Sequence, residues 1–99
     1  DKVEFDAMKE VFPRGIPPIT ANKSLFGHAM GASSAIETIL AIQGMVSGTL
    51  PPTINYTPDP ELELDIVLEG KRRVHQDFLL KNSFGFGGCN SCLVLRRLP

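Results

Sequence analysis

The stretch GHAMGASSAIETILAIQGMVSG, from Gly27 to Gly48, decides the fold. From Ile36 onward its apolar residues would cover most of the circumference of a helix, with few larger polar side chains among them. Ser34 and Glu37 match a capping box, in which a hydroxyl and a carboxylate satisfy backbone N–H groups at a helix start. The pattern predicts a helix that is buried on most of its sides and ends near Gly48.

The segments on either side of this helix predict an α/β arrangement. Lys2 to Phe12 has the spacing of a short amphipathic helix, which Pro13 and Gly15 end. The strand-like segments are Ile19-Thr20-Ala21, Leu64 to Leu68, Phe78 to Ser83 and Ser91 to Arg96. Between the last two, the glycine-rich run Phe84 to Gly88 predicts an antiparallel hairpin, whereas the proline-rich run Leu50 to Pro60 predicts irregular chain.

Composition and charge argue against several classes of function. The 99 residues, 42% hydrophobic and 21% charged, are typical of an ordinary globular protein or a part of one. A formal net charge of −1 without a basic block gives nucleic-acid binding no electrostatic support. No apolar run approaches the roughly 20 residues that span a bilayer, and no signal-peptide pattern opens the chain, so a cytoplasmic setting is predicted. The start at Asp1 without Met, together with Gly 9 and Pro 8, suggests an excised fragment.

Cys89 and Cys92 form a C-x-x-C pair, a pattern of redox sites and of half zinc sites. A zinc site needs about four ligands, and His28 and His75 are distant in sequence, with no ligand-like spacing between them. In the strand predicted at this point, residues three apart point to opposite faces. We therefore expect structural or incidental cysteines and no metal. The alternative, a stand-alone metal or redox module, predicts bound zinc or a reversible disulfide.

The segment Lys23 to His28 is the first candidate for chemistry, because it joins a predicted strand to the predicted buried helix. Ligands gather at such strand-to-helix junctions in α/β sheets. A histidine can donate a hydrogen bond to a developing oxyanion, and a nearby ammonium can hold the electrostatics of such a site. Considered alone, a histidine between Gly and Ala is more often a structural residue, and a single lysine is more often solvated.

The glycine-rich run is the second candidate. It lacks the Gly-Lys-Ser/Thr of a P-loop, and it lacks the following helix that a dinucleotide fingerprint needs. Phe84 and Phe86 beside Gly85, Gly87 and Gly88 instead suggest an apolar gate whose backbone can swing. The alternative is a tight hairpin with two core aromatic residues.

Several motifs resemble, in order, those of the elongating, type II β-ketoacyl-acyl carrier protein synthases of the thiolase superfamily. Lys23 to His28 is similar to the family's K-S-x-x-G-H, and Gly31-Ala32-Ser33 to the small-residue helix start that follows it. Pro51 to Asn55 resembles P-P-T-x-N, and Asn82 to Asn90 resembles N-S-F-G-F-G-G-T-N. Asp1 to Phe12 resembles the helix after the first catalytic-histidine motif. The likeness spans nearly the whole chain and favours a functional role for both candidates.

The resemblance implies an α/β fold class: a partial thiolase-like fold (its C-terminal half), with a buried helix packed on a mixed sheet that ends in an antiparallel hairpin. Residues 1–99 would be the C-terminal part of a ketosynthase domain. The parent would carry out a decarboxylative Claisen condensation to a 3-oxoacyl product, in fatty acid or polyketide synthesis, without a dissociable cofactor. Its partners would be acyl carrier protein with phosphopantetheine-linked acyl and malonyl groups and, in a homodimer, a second copy.

The resemblance also implies roles for individual residues. His28 would be the second of the family's two histidines, its neutral imidazole N–H stabilising the enolate oxygen of the malonyl thioester. Lys23 would tune and orient this site through its charge. Phe86 resembles the gating phenylalanine, whose N–H contributes to the oxyanion hole, and Phe84 would line the same pocket. The residues that give this loop its mobility would be Gly85, Gly87 and Gly88. All of this predicts that His28 and Phe86 face one cavity.

The chain departs from the family pattern in ways that limit the prediction. Phe26 stands where the family often has a smaller residue, frequently Thr, and Cys89 stands where Thr is usual. Neither Cys89 nor Cys92 matches the nucleophile's motif, which in the family lies upstream of residue 1, as does the first catalytic histidine. The chain alone is therefore predicted to be inactive. A non-catalytic relative, such as a chain-length factor, is the alternative, although the retention of Lys23 and His28 favours an active parent.

Overall fold

The structure is a computed structural model and describes residues 1–68 and 72–98. Its helices are α1 (Lys2–Val11), the single turn α2 (Lys23–Phe26) and α3 (Ser33–Ser47), with a 3₁₀ turn at Met30–Ala32 directly before α3. Its strands are β1 (Thr49–Leu50), β2 (Arg72–Arg73), β3 (Phe78–Gly85) and β4 (Cys89–Arg96). None of the helices in these two ranges is both long and apolar enough to cross a membrane.

Helix α1 forms where the sequence predicts it. Glu4 in its first turn and Lys9 in its last turn complement the helix dipole. Phe5 is buried, and the Lys9 ammonium lies 5.2 Å from the centre of its ring. The side chain of Glu4 also accepts a hydrogen bond from the amide of Asn82, at 3.1 Å, so α1 is attached to strand β3.

Helix α3 begins at Ser33 and has Ala32 as its N-cap, with no side-chain cap. The predicted capping box is therefore wrong, because Glu37 uses its carboxylate for two distant lysines instead of the backbone. The end of the helix is as predicted. Gly48 has φ +71°, a left-handed conformation that glycine adopts at little cost, and its N–H bonds to the carbonyl of Gly44.

The prediction that α3 is buried on most sides is wrong for the described chain. Only Ser33 and Met45 of this helix are buried, while Ile39 and Val46 are 58% and 69% exposed. A helix with apolar residues all round needs packing on all sides. Among the described elements, β1, β3 and the 3₁₀ turn pack most extensively against α3, and they leave several of its aliphatic side chains in solvent.

The strands pair in two separate antiparallel ladders. Strand β1 pairs with β2, and β3 pairs with β4 from Phe78 opposite Arg96 to Gly85 opposite Cys89. The predicted hairpin is thereby confirmed. The other two predicted strands shorten to a single parallel bridge between Ile19 and Ile66. Parallel and antiparallel pairing both occur, as a mixed sheet requires, although the described strands do not join into one sheet.

The irregular segment around Thr53 holds the loop that carries the first candidate site. The buried Thr53 donates its N–H to the carbonyl of Val67, and its hydroxyl oxygen accepts the N–H of Ala21 at 2.8 Å. Next to it, the hydroxyl of Ser24 accepts the N–H of Ile54 at 3.0 Å. Because the bonds of Ala21 and Ser24 to this segment join residues about thirty positions apart, helix α2 has a fixed place beside the parallel bridge.

Candidate active site

The imidazole of His28 is held through one ring nitrogen. Its Nδ1 accepts the backbone N–H of Met30 at 2.9 Å and lies 2.9 Å from the hydroxyl oxygen of Ser33. An amide N–H can only donate, so Nδ1 is an acceptor without a proton, and the Ser33 hydroxyl donates to it. The hydrogen bonds therefore assign a neutral ring with its proton on Nε2, the nitrogen that remains for a ligand.

Ser33 holds the His28 ring in its orientation. It is buried, and its oxygen accepts the N–H of Ala29 at 2.8 Å, which leaves its hydrogen for the ring. The backbone on either side of His28 turns sharply to allow this, with φ +85° at Gly27 and +51° at Met30. The left-handed conformation is easy for glycine, whereas a methionine in it stores strain. Sequence analysis named Ser33 only as part of the small-residue helix start and gave it no role at the site.

Lys23 is the first residue of α2, and its ammonium lies 2.7 Å from Oε1 of Glu37 on α3. The other carboxylate oxygen of Glu37 lies 3.5 Å from the ammonium of Lys81 on β3. Glu37 and Lys81 are nearly covered, at 13% and 11% side-chain exposure, whereas Lys23 is 44% exposed. The Glu37 carboxylate thus lies between the partly exposed ammonium of Lys23 and the nearly covered ammonium of Lys81. Sequence analysis did not identify Glu37 as a partner of Lys23, and it did not identify Lys81 at all.

Hydrogen bonds join the hairpin to the start of α3. Lys81 donates to the hydroxyl of Ser83 at 2.6 Å, and the hydroxyls of Ser83 and Ser34 are 3.2 Å apart. Ser34 is the neighbour of the serine that holds His28, and Ser83 directly precedes the glycine-rich run. The structure therefore brings together the elements that carry the two candidate motifs, although they are far apart in sequence.

The glycine-rich run forms the tip of the hairpin, and its aromatic residues point into solvent. Gly87 and Gly88 have φ +82° and +80°, so the turn needs residues without a side chain. Phe86 is fully exposed and Phe84 is 57% exposed. Neither is a core aromatic residue in the described chain, which disagrees with the alternative of a hairpin packed by two phenylalanines.

The described cavities lie away from both motifs. One, of about 510 Å³, lies between α1 and the segment from Pro60 to Glu63. Another, of about 570 Å³, is lined by His75 on one side and by Arg97 and Leu98 on the other. His28 and Phe86 line neither of them. A cavity common to these two residues stays a prediction.

Cys89 and Cys92 are free and exposed on β4, where the sequence placed them. Cys89 stands opposite Gly85 and Cys92 opposite Asn82 in the ladder with β3. Within residues 1–68 and 72–98, no group of three or more His, Cys, Asp and Glu side chains is arranged to hold a metal ion.

Comparisons with known proteins identify the family. Residues 1–57 match the model of the beta-ketoacyl synthase C-terminal domain. The chain is 42% identical over 101 residues to 3-oxoacyl-[acyl-carrier-protein] synthase 2 of Coxiella burnetii, covering 99% of this chain and 24% of that protein. This chain therefore belongs to the β-ketoacyl synthase family, and it spans about a quarter of the length of the curated relatives it matches.

Solved structures agree with this family and confirm the fold class. The ishigamide ketosynthase/chain length factor superposes with a TM-score of 0.91 at 35% identity, covering 100% of this chain and 25% of that one. AntDE:AntF, described as a type II PKS acyl-carrier protein in complex with its ketosynthase, gives 0.90 at 35% identity, covering 97% and 24%. The chain has the α/β, partial thiolase-like fold that the motifs implied.

Proposed function

We propose that residues 1–99 are the C-terminal part of a β-ketoacyl-acyl carrier protein synthase, whose nucleophilic cysteine and first catalytic histidine belong to the preceding part of the same polypeptide. Membership in the family and the similarity to a 3-oxoacyl-[acyl-carrier-protein] synthase support this proposal. So does the short share of the relatives that the chain covers. By itself this chain would bind and polarise a substrate without completing the reaction.

The reaction begins when the bond between the carboxylate and the α-carbon of a malonyl thioester breaks. Carbon dioxide leaves, and the electron pair passes into an enolate whose charge lies largely on the thioester oxygen. The α-carbon then attacks the carbonyl of an acyl group held on the cysteine as a thioester. A new carbon–carbon bond forms, the cysteine leaves as thiolate, and the product is a 3-oxoacyl thioester.

The observation that carries the proposal is the pair of hydrogen bonds to Nδ1 of His28, from the Met30 N–H and the Ser33 hydroxyl. Because Met30 and Ser33 both use Nδ1, the ring presents a neutral N–H donor in a fixed direction. Such a donor stabilises the negative charge that develops on the enolate oxygen. In this proposal the ammonium of Lys23 tunes and orients the site through its charge.

The hairpin tip supplies the gate in this proposal. Phe86 is free of packing, and the glycines beside it allow the main chain to swing between positions. In one of these positions the Phe86 N–H would complete an oxyanion hole for the acyl carbonyl, with Phe84 lining the pocket. The substrates arrive on phosphopantetheine of acyl carrier protein, and the complete synthase acts as a cytoplasmic homodimer.

The test uses the full-length synthase that carries this chain, assayed with malonyl- and acyl-acyl carrier protein. We expect His28→Ala to lower malonyl decarboxylation by about 100-fold or more, the usual effect of losing one oxyanion donor. His75→Ala is the matched control, since His75 is an exposed residue paired with Asp77. Full activity of His28→Ala, or condensation by residues 1–99 alone, would contradict the proposal.

A second candidate is a non-catalytic subunit of the chain-length-factor kind. It is favoured by one observation, the similarity to a structure named for a ketosynthase and a chain length factor together. The presence of both Lys23 and His28 favours the active enzyme instead. Incubation of the full-length protein with acyl-acyl carrier protein separates the two, because only the enzyme forms a stable acyl thioester on its cysteine.

A further inference from the structure

The carboxylate of Glu37 has two cationic partners, and only one belongs to the motif around His28. Lys23 contacts Oε1 at 2.7 Å from the solvent side, while Lys81 contacts Oε2 at 3.5 Å from the side of the hairpin. Lys81 is the more buried of the two lysines, at 11% against 44% side-chain exposure. A buried ammonium requires a partner, and Glu37 together with Ser83 provides it.

From this arrangement we propose that Lys81 is a positioning residue of the synthase, which acts through Glu37 on Lys23 and through Ser83 on the hairpin. The inference rests on the proposed function and extends it to a residue outside the motifs. Lys81 shares the carboxylate, so Glu37 cannot fully neutralise Lys23, and the outward-facing ammonium keeps an effective positive charge beside the malonyl site. The same side chain fixes the strand that leads to the gate.

The geometry of β3 explains why a lysine can do this. Side chains alternate between the two faces of a strand, so Leu79, Lys81 and Ser83 lie on one face. That face is directed towards α3, since Ser83 contacts Ser34. An ammonium placed there contacts α3 through Glu37 and the strand that leads to the loop through Ser83.

Lys81→Met tests the charge, since methionine keeps the length of the side chain without an ammonium. We expect kcat for malonyl decarboxylation in the full-length synthase to fall about tenfold, the scale of a small displacement at an active site. Lys81→Arg should recover most of this loss. Acylation of the nucleophilic cysteine should fall less than decarboxylation, because it does not use the His28 site and feels the substitution only through the Ser83 contact with the hairpin. Lys2→Met is the matched control, in an exposed pair with Asp6.

A double-mutant cycle with Glu37→Gln tests the route. If Lys81 acts through the carboxylate of Glu37, Lys81→Met should lower kcat for malonyl decarboxylation much less in the Glu37→Gln background than in the wild type. Thermal denaturation of the same four proteins gives a readout that needs no turnover, and it should show the same non-additivity. Strictly additive effects on stability would overturn the shared-carboxylate arrangement, whether or not the protein is active.

The outcomes separate this inference from the proposed function. An active wild type in which Lys81→Met behaves like Lys2→Met would overturn the role of Lys81 and leave the function intact. An inactive wild type with a clear thermal coupling between Lys81 and Glu37 would overturn the function and uphold the coupling. Loss of decarboxylation and acylation to the same extent in Lys81→Met would indicate general damage and also overturn the positioning role.

Discussion

His28 and Ser33 share a 2.9 Å hydrogen bond in which the serine hydroxyl donates to Nδ1 of the ring. The direction of this bond is fixed because Nδ1 already accepts the N–H of Met30 and therefore carries no proton to donate. Ser33 is therefore the residue through which the start of α3 orients the imidazole.

Ser33→Ala should impair both stability and chemistry. The substitution leaves the N–H of Ala29 without its acceptor and costs about 1–2 kcal/mol in the free energy of unfolding. It also frees the ring to turn, so malonyl decarboxylation should fall about tenfold. Chemical denaturation and a decarboxylation assay of the full-length synthase measure the two effects. Ser47→Ala, at the exposed end of α3, is the control, and unchanged decarboxylation in Ser33→Ala would refute the orienting role.

Phe86→Ala should separate activity from stability. The side chain is fully exposed in this chain, so its loss should change the free energy of unfolding by less than about 0.5 kcal/mol. As the proposed gate, however, it should alter condensation, with kcat and KM changing together. Steady-state kinetics of the full-length synthase check this. A large loss of stability with unchanged kinetics would show that Phe86 is a packing residue.

Gly44→Ala should destabilise the protein, although alanine is the better helix former. An added Cβ at position 44 would lie 2.8 Å from the carbonyl oxygen of Thr49, closer than real Cβ contacts allow. We expect a cost of about 1–3 kcal/mol, typical of overpacking, instead of the usual gain. Thermal denaturation measures it. Gly31→Ala is the control because a Cβ there meets open space, and equal effects of the two substitutions would contradict the prediction.

Acid should weaken the ion pair between Asp65 and Arg72. A two-pronged hydrogen bond from the guanidinium, at 2.6 and 2.7 Å, lowers the pKa of Asp65 below its ordinary value of 3.8. A lowered folded-state pKa means that the stabilisation is present above pH 3.8 and is lost as the pH falls through the lower value. In an NMR titration of the Asp65 carboxyl carbon, Arg72→Met should restore the ordinary pKa. Arg73→Met should leave the titration unchanged, and the same shift in both variants would refute the pairing.

Local elements were predictable because their signals lie within short windows. The spacing of Lys2 to Phe12, the glycine after α3 and the glycines of the hairpin gave the correct helix, stop and turn. The start of α3 was misjudged, since Glu37 satisfies a capping rule in sequence but bonds to lysines that lie 14 and 44 positions away. Such pairing over long range overrides a local preference.

The motifs identified His28, Lys23 and the gate loop as candidates, but not the residues that hold them. The sequence does contain one indication of Lys81. This residue lies on the same face of β3 as Leu79 and Ser83, where a charged side chain is unexpected unless a partner covers it. Which carboxylate covers it depends on how α3 lies against β3. That relation arises from tertiary packing, and no periodicity in the sequence records it.

Met30 links the main chain to the imidazole ring of His28 through the hydrogen bond from its N–H to Nδ1. Its own φ of +51° is a strained value for a residue with a side chain. If the imidazole rotated away, the Met30 N–H would lose its acceptor. A ligand held at Nε2 would therefore also keep the Met30 N–H paired, because it would fix the ring that accepts this N–H.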